Sequence, residues 1–143
     1  MVDAGKKVVR LKHREFPVPV PEPTCCTVAL GGSTLHVGDG GGRYVWAFRI
    51  EKDRALGPGD RYCRLRVNES NRPETSALTV DGFGRFYAAT NTGIQVFDPT
   101  GRLCGVITAP PGQVTALFFN GDELCAVVGD KAHVRRLNAT PRK

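Results

Sequence analysis

Helical periodicity is nearly absent from this sequence. Apolar residues come in short runs or alternate, and Gly, Pro, Asp or Asn closes each run. That pattern excludes a helical bundle and predicts a fold of many short strands. No run approaches the ~20 apolar residues that a membrane span needs. Met1 to Arg14 lacks the apolar stretch of a signal peptide, so the expected location is the cytoplasm. The five cysteines, Cys25, Cys26, Cys63, Cys104 and Cys125, form no CxxC pair. Their odd number and their place in apolar runs predict buried, reduced thiols rather than a disulfide framework. Gly38 to Gly42 is not followed by Lys and Ser/Thr, so it reads as a hairpin turn and not as a phosphate-binding loop. No helix-turn-helix pattern is present, and aromatic and basic residues do not interleave as in RNA-binding sheets.

What is present is an ordinary globular composition: 143 residues, 41% hydrophobic and 24% charged. A chain of this length buries roughly two-thirds of its unfolded surface. The 17 glycines and 10 prolines suit a fold with many turns. The formal charge is +6. Its basic residues gather at Lys6, Lys7, Arg10, Lys12 and Arg14, at Arg61, Arg64 and Arg66, and at Arg135, Arg136, Arg142 and Lys143. The expected reading is a solvated surface with a basic tail. Nucleic-acid binding through these patches is the lesser alternative.

The strands recur as a series. After a strand at Val8–Leu11 and a Pro-interrupted edge or arm at Phe16–Val20, Cys26–Leu30, Thr34–Val37, Tyr44–Ile50 and Tyr62–Val67 form a first set. Turns at Gly31–Gly32, Gly38–Gly42 and Gly57–Asp60 separate them. A second set runs through Ala77–Val80, Arg85–Ala89, Ile94–Phe97 and Leu103–Ile107. In it, Ile94-Gln95-Val96-Phe97 begins the alternation of an outer strand. A third set, Val114–Phe119, Leu124–Val128 and Ala132–Leu137, stops one strand short. Four-strand units of this length are the pattern of propeller blades; an antiparallel sandwich is the competing reading. The expected organisation is one domain: N-terminal strands 1–23, units at 24–72, 73–112 and 113–138, and a basic tail at 139–143.

The second unit, Ser76-Ala77-Leu78-Thr79-Val80-Asp81-Gly82-Phe83-Gly84-Arg85-Phe86-Tyr87-Ala88-Ala89-Thr90, resembles a blade of the gluconolactonase/SMP-30 family. So does its continuation, Gly93-Ile94-Gln95-Val96-Phe97-Asp98-Pro99-Thr100-Gly101. Tyr44-Val45-Trp46-Ala47-Phe48-Arg49-Ile50 and the Leu56-Gly57 turn are also similar to that family. Its members are closed six-bladed propellers made by chains about twice as long. The resemblance therefore implies an all-β chain of three four-stranded blades that completes a six-bladed propeller as a homodimer. In that arrangement an N-terminal strand would fill the partner's last blade. A truncated piece is the competing reading.

The resemblance also implies a divalent-metal-dependent hydrolase of sugar lactones or similar esters. Its metal would sit at the starts of the inner strands, on oxygen ligands that suit Ca²⁺ or another divalent cation. Residue by residue, the expected ligands are replaced. Thr24 stands where an amide is expected, Ser76-Ala77 where an Asp-Gly pair is expected, and Ala116 where an Asn is frequent. Glu22 and Glu74 are neighbouring carboxylates with no assigned role. The expectation is therefore no metal, with Thr24, Ser76 and Gln113 lining a channel mouth that takes a small polar ligand. His13, His36 and His133 share no ligand spacing, and the two in strands read as surface or core residues. Asn68-Glu69-Ser70 and Asn138-Ala139-Thr140 match the glycosylation pattern, which means little without secretion.

Three function classes follow. The first is a non-catalytic or diverged propeller module that assembles with itself. The second is a metal-dependent hydrolase with a rebuilt site. The third is a nucleic-acid binder.

Overall fold

The computed structural model describes residues 1–11 and 14–139. Lys12, His13, Thr140 and the rest of the basic tail lie outside the described residues. The described chain is all β. Its strands are β1 (Val2–Asp3), β2 (Val8–Leu11), β3 (Arg14–Pro17), β4 (Pro23–Val28), β5 (Thr34–Asp39), β6 (Tyr44–Ile50) and β7 (Leu56–Arg64). Then follow β8 (Ala77–Val80), β9 (Phe86–Thr90), β10 (Gly93–Phe97), β11 (Leu103–Ile107), β12 (Val114–Asn120), β13 (Glu123–Val128) and β14 (Lys131–Arg136).

These strands form four antiparallel meanders in chain order: β1–β3, β4–β7, β8–β11 and β12–β14. The first strand of each sheet lies against the first strand of the next, β1 on β4, β4 on β8 and β8 on β12. That succession is the radial arrangement of propeller blades. Two four-stranded sheets are thus flanked by two three-stranded ones, where three units were expected. The N-terminal strands are not a free arm. They pair with one another, and Val2, Val9, Val18 and Val20 pack onto Leu35, Val37 and Phe48. With four sheets per chain, two copies bring eight.

Period-two alternation places the core. Along β6, Trp46, Phe48 and Ile50 face the first sheet, while Val45 faces the third, onto Leu78, Phe86 and Phe97. The last interface is filled by Ala77, Tyr87, Ala89 and Ile94 against Val114, Leu117, Leu124 and Ala126.

Two expectations fail for local reasons. Gly57–Asp60 is not a turn but the interior of β7, and the β6–β7 reversal comes earlier, around Glu51–Ala55 with Arg54 at φ 65°. Pro58 is tolerated because β7 is an edge strand. Gly59 is there because a Cβ would collide with the buried Phe48 ring. Gln95 does not face solvent as strand alternation suggested. It is fully buried, and its amide clamps the chain leaving β7: Oε1 accepts from Arg66 N (2.7 Å), and Nε2 donates to Arg66 O (2.8 Å). Nε2 also reaches the hydroxyls of Thr90 and Thr92. Gln95→Leu should therefore cost about 2–3 kcal/mol in chemical denaturation, because it strands a buried amide and carbonyl; an unchanged midpoint would contradict this role.

The turns Asp81–Arg85 and Asp98–Arg102 are built alike. In each, the Asp amide donates to the Arg carbonyl, and a left-handed glycine (Gly84, Gly101) donates back to the Asp carbonyl. The Asp carboxylate collects the amides of the loop. The two copies of Asp-x-x-Gly-Arg are thus one turn used twice.

Candidate functional site

The starts of the inner strands β4, β8 and β12 lie at one end of the sheets, with the β9–β10 turn beside them. Ser76 and Gln113 meet there, in a pocket of about 260 Å³ shared with Glu74, Thr90, Asn91 and Val114. Thr24 is not part of that pocket. Its hydroxyl donates to Thr75 O (2.5 Å) and reaches Gly38 O (3.4 Å), so it braces β4 against the entry to β8. The structure therefore joins two of the three expected residues directly and the third through the Thr75–Ser76 backbone.

The surrounding loops are tightly tied. Glu74 adopts a left-handed φ of 50° and donates its amide to Gly40 O, a conformation that is uncommon for a non-glycine residue. Asn91 holds this loop from the far side, through its amide to Pro73 O and its Nδ2 to Arg72 O (2.8 Å). Glu22 is committed to an ion pair with Arg72 at 2.7 Å. Asp39 is buried and accepts from the Gly41 amide within the glycine-rich turn.

These residues do not fit a hard divalent cation. Such an ion needs several charged or strongly polar oxygens. The pocket offers a single carboxylate (Glu74), a threonine hydroxyl already donating to a carbonyl (Thr90 to Gly93 O), a serine and two neutral amides (Asn91 and Gln113). Ala116 lies within β12 and supplies no oxygen side chain. Among the described residues no group of three or more His, Cys, Asp or Glu stands close enough to hold a metal.

All five cysteines are free; Cys63 and Cys125 are buried as expected, Cys25 and Cys26 are half-buried, and Cys104 is exposed on the edge strand β11, against the expectation. Burial pushes the Cys25 thiol up to about 12, and it raises Cys63 further still. Both are thiols at neutral pH. His133 is exposed on β14. His36 is buried, and desolvation lowers its pKa to about 4, so it is a neutral imidazole. It lies at the opposite end of the strands from Ser76, in a groove that strand spacing alone does not disclose.

No family model matches the sequence, and no curated protein matches it. Solved structures do. A gluconolactonase from Xanthomonas campestris superposes with a TM-score of 0.70 at 22% identity, over 87% of this chain and 40% of that one. A luciferin-regenerating enzyme gives 0.66 at 16% identity, over 79% of this chain and 39% of that one. The β-propeller domain of Cps50 (Swd1) from Myceliophteria thermophila gives 0.65 at 13% identity, over 87% and 44%. This chain therefore has the fold of a propeller segment similar to gluconolactonases. It spans about two-fifths of the length of the first of these proteins.

Proposed function

We propose that the chain is a diverged, non-catalytic propeller module that assembles through the outward face of its last sheet, with a second copy as the occupant. The observation that carries this reading is an uncovered apolar face. Phe118, Cys125 and Val134 stand opposite one another across β12, β13 and β14, and Ala116, Val127 and Ala132 form the next row on the same side. Phe118 is 47% exposed and Val134 57% exposed, while Cys125 between them is buried. Elsewhere in the fold the equivalent face of a sheet is covered by the next sheet. A monomer rarely leaves such a patch open.

The outward face of the first sheet is different. It carries the Arg10–Glu15 ion pair. A ring-closing arrangement would press the two apolar rows of the last sheet, which border a polar row of Asn120, Glu123 and Arg136 on the same side, against that ion pair. A two-fold contact buries apolar surface on both sides and is the arrangement proposed. The Ser76–Gln113 pocket, polar and small, suits a small polar ligand as a secondary role.

Phe118→Glu, which puts a charge in the middle of the patch, should convert a dimer to a monomer in sedimentation velocity at micromolar concentration. Arg10→Ala should leave the mass unchanged. A Phe118→Glu protein that still dimerises would remove this face from the reading. The hydrolase reading draws on the fold likeness to a gluconolactonase, but the fold alone does not supply its ligands.

A further inference from the structure

The two complete sheets meet unevenly. Near the starts of the inner strands, Val45, Cys63 and Leu65 pack on Leu78 and Ala88. Toward the opposite end, where the β4–β5, β8–β9 and β10–β11 turns lie, the sheets part around a groove of about 760 Å³. Its size falls within the range of small-molecule sites, roughly 300–1,000 Å³.

The groove's floor is the face of β5, β6 and β7 that looks at the next sheet. His36, Ala47 and Asp60 stand side by side across it, with Thr34 and Arg49 as the adjacent pair. The reverse face of the same strands carries Leu35, Val37, Trp46, Phe48, Ile50 and Leu56. A face made only for packing between sheets would be apolar like the reverse one. Here it is histidine, arginine, aspartate and small residues.

His36 is the unusual member. It is only 5% exposed, and neither ring nitrogen has a hydrogen-bond partner among the described residues, with Nδ1 sealed from solvent. Buried polar groups in folded proteins are nearly always paired. The ring is held rigidly. It stacks on Tyr62 at 4.8 Å and 26°, and meets the edge of Phe86 at 4.8 Å. Tyr62 is fixed in turn by its hydroxyl, which donates to Pro99 O (2.7 Å). The remaining lining includes Leu30, Pro58, Val80 and Pro99, and Leu30 is 62% exposed. The charged groups facing the space, Arg49 and Asp60, are one of each sign, so the groove selects for neither charge.

We propose that this groove is a binding site for a small uncharged molecule with an apolar body and one hydroxyl or amide group, which pairs with Nε2 of His36, the ring nitrogen that the fold does not seal. The apolar body lies along Leu30, Val80 and Pro99, and the polar group reaches the open edge of the imidazole. The site is independent of how the chain assembles, because none of its residues belongs to the last sheet.

The test is a titration of the ¹⁵N-labelled full chain with benzamide and with phenol at millimolar concentration, near neutral pH. Saturable shifts are expected at the amides of Leu30, Ser33 and Gly84 and in the His36 ring signals. His36→Phe keeps the stacking and should weaken binding about tenfold, the effect of losing one hydrogen bond. Ala47→Leu fills the groove without touching the imidazole and should abolish binding. No saturable shift with either probe overturns the proposal. Equal affinity in the wild type and in whichever of the two variants folds also overturns it.

Discussion

Asp81→Ala is expected to lower the unfolding free energy by about 3–5 kcal/mol, because it removes the shared acceptor of one buried and three half-buried donors. The Asp81 carboxylate is fully buried. It accepts from the amides of Phe83 and Arg85 (2.9 Å each), from Arg85 Nε (2.6 Å) and from the Tyr87 hydroxyl (3.0 Å). Tyr87 is itself buried, and its pKa is raised by burial first and by this hydrogen bond next. Alanine would leave a buried phenol, two amides and a guanidinium without their acceptor. It would also loosen the turn that presents Tyr87 to Phe119 and so to the last sheet. Asp98 provides an internal control. It organises the same turn, but its partner Arg102 is 83% exposed, so water replaces what is lost. Urea unfolding of the two alanine variants should therefore give a much larger drop for Asp81. Equal drops would mean that the turn itself matters and the burial does not.

Stability should also fall as pH drops from 6.5 to 4, by about 3 kcal/mol from His36 alone, at 1.36 kcal/mol per pKa unit. The folded pKa is near 4 and the unfolded value near 6.5, with desolvation as the cause. Between those values the unfolded chain binds the extra proton. The contribution of the neutral ring is thus complete above pH 6.5, declines through the window and levels off below 4. His36→Phe should flatten the slope across that window, and the difference between the two curves isolates this residue from the carboxylates. Parallel curves for wild type and variant would show that His36 is not held neutral by the fold.

Much of the architecture was legible because period-two alternation and turn residues are local signals. The strand at Tyr44–Ile50 and those at Ala77–Val80 and Leu103–Ile107 coincide with the observed ones. What failed were residues whose role depends on a partner distant in sequence. Gly57 and Gly59 look like turn residues, but Gly59 is small for the sake of Phe48. Gln95 looks like the polar side of an outer strand, yet its partner is Arg66, which no alternation rule names. The N-terminal prolines suggested an arm, although Val18 and Val20 were apolar enough to be core. At the candidate site, Ser76 and Gln113 could be paired from their place at strand starts, whereas the separation of Thr24 from their pocket could not. The His36 groove was hidden because the stacking of Tyr62 and Phe86 on the ring joins two different sheets.

The central claim is that an apolar end face, otherwise unpaired, is covered by a second copy. Light scattering coupled to size exclusion on the unmodified chain tests it most directly. An end face covered by a second copy gives a mass twice 15.5 kDa at micromolar concentration. A well-folded species of 15.5 kDa, unchanged as concentration rises, would contradict it.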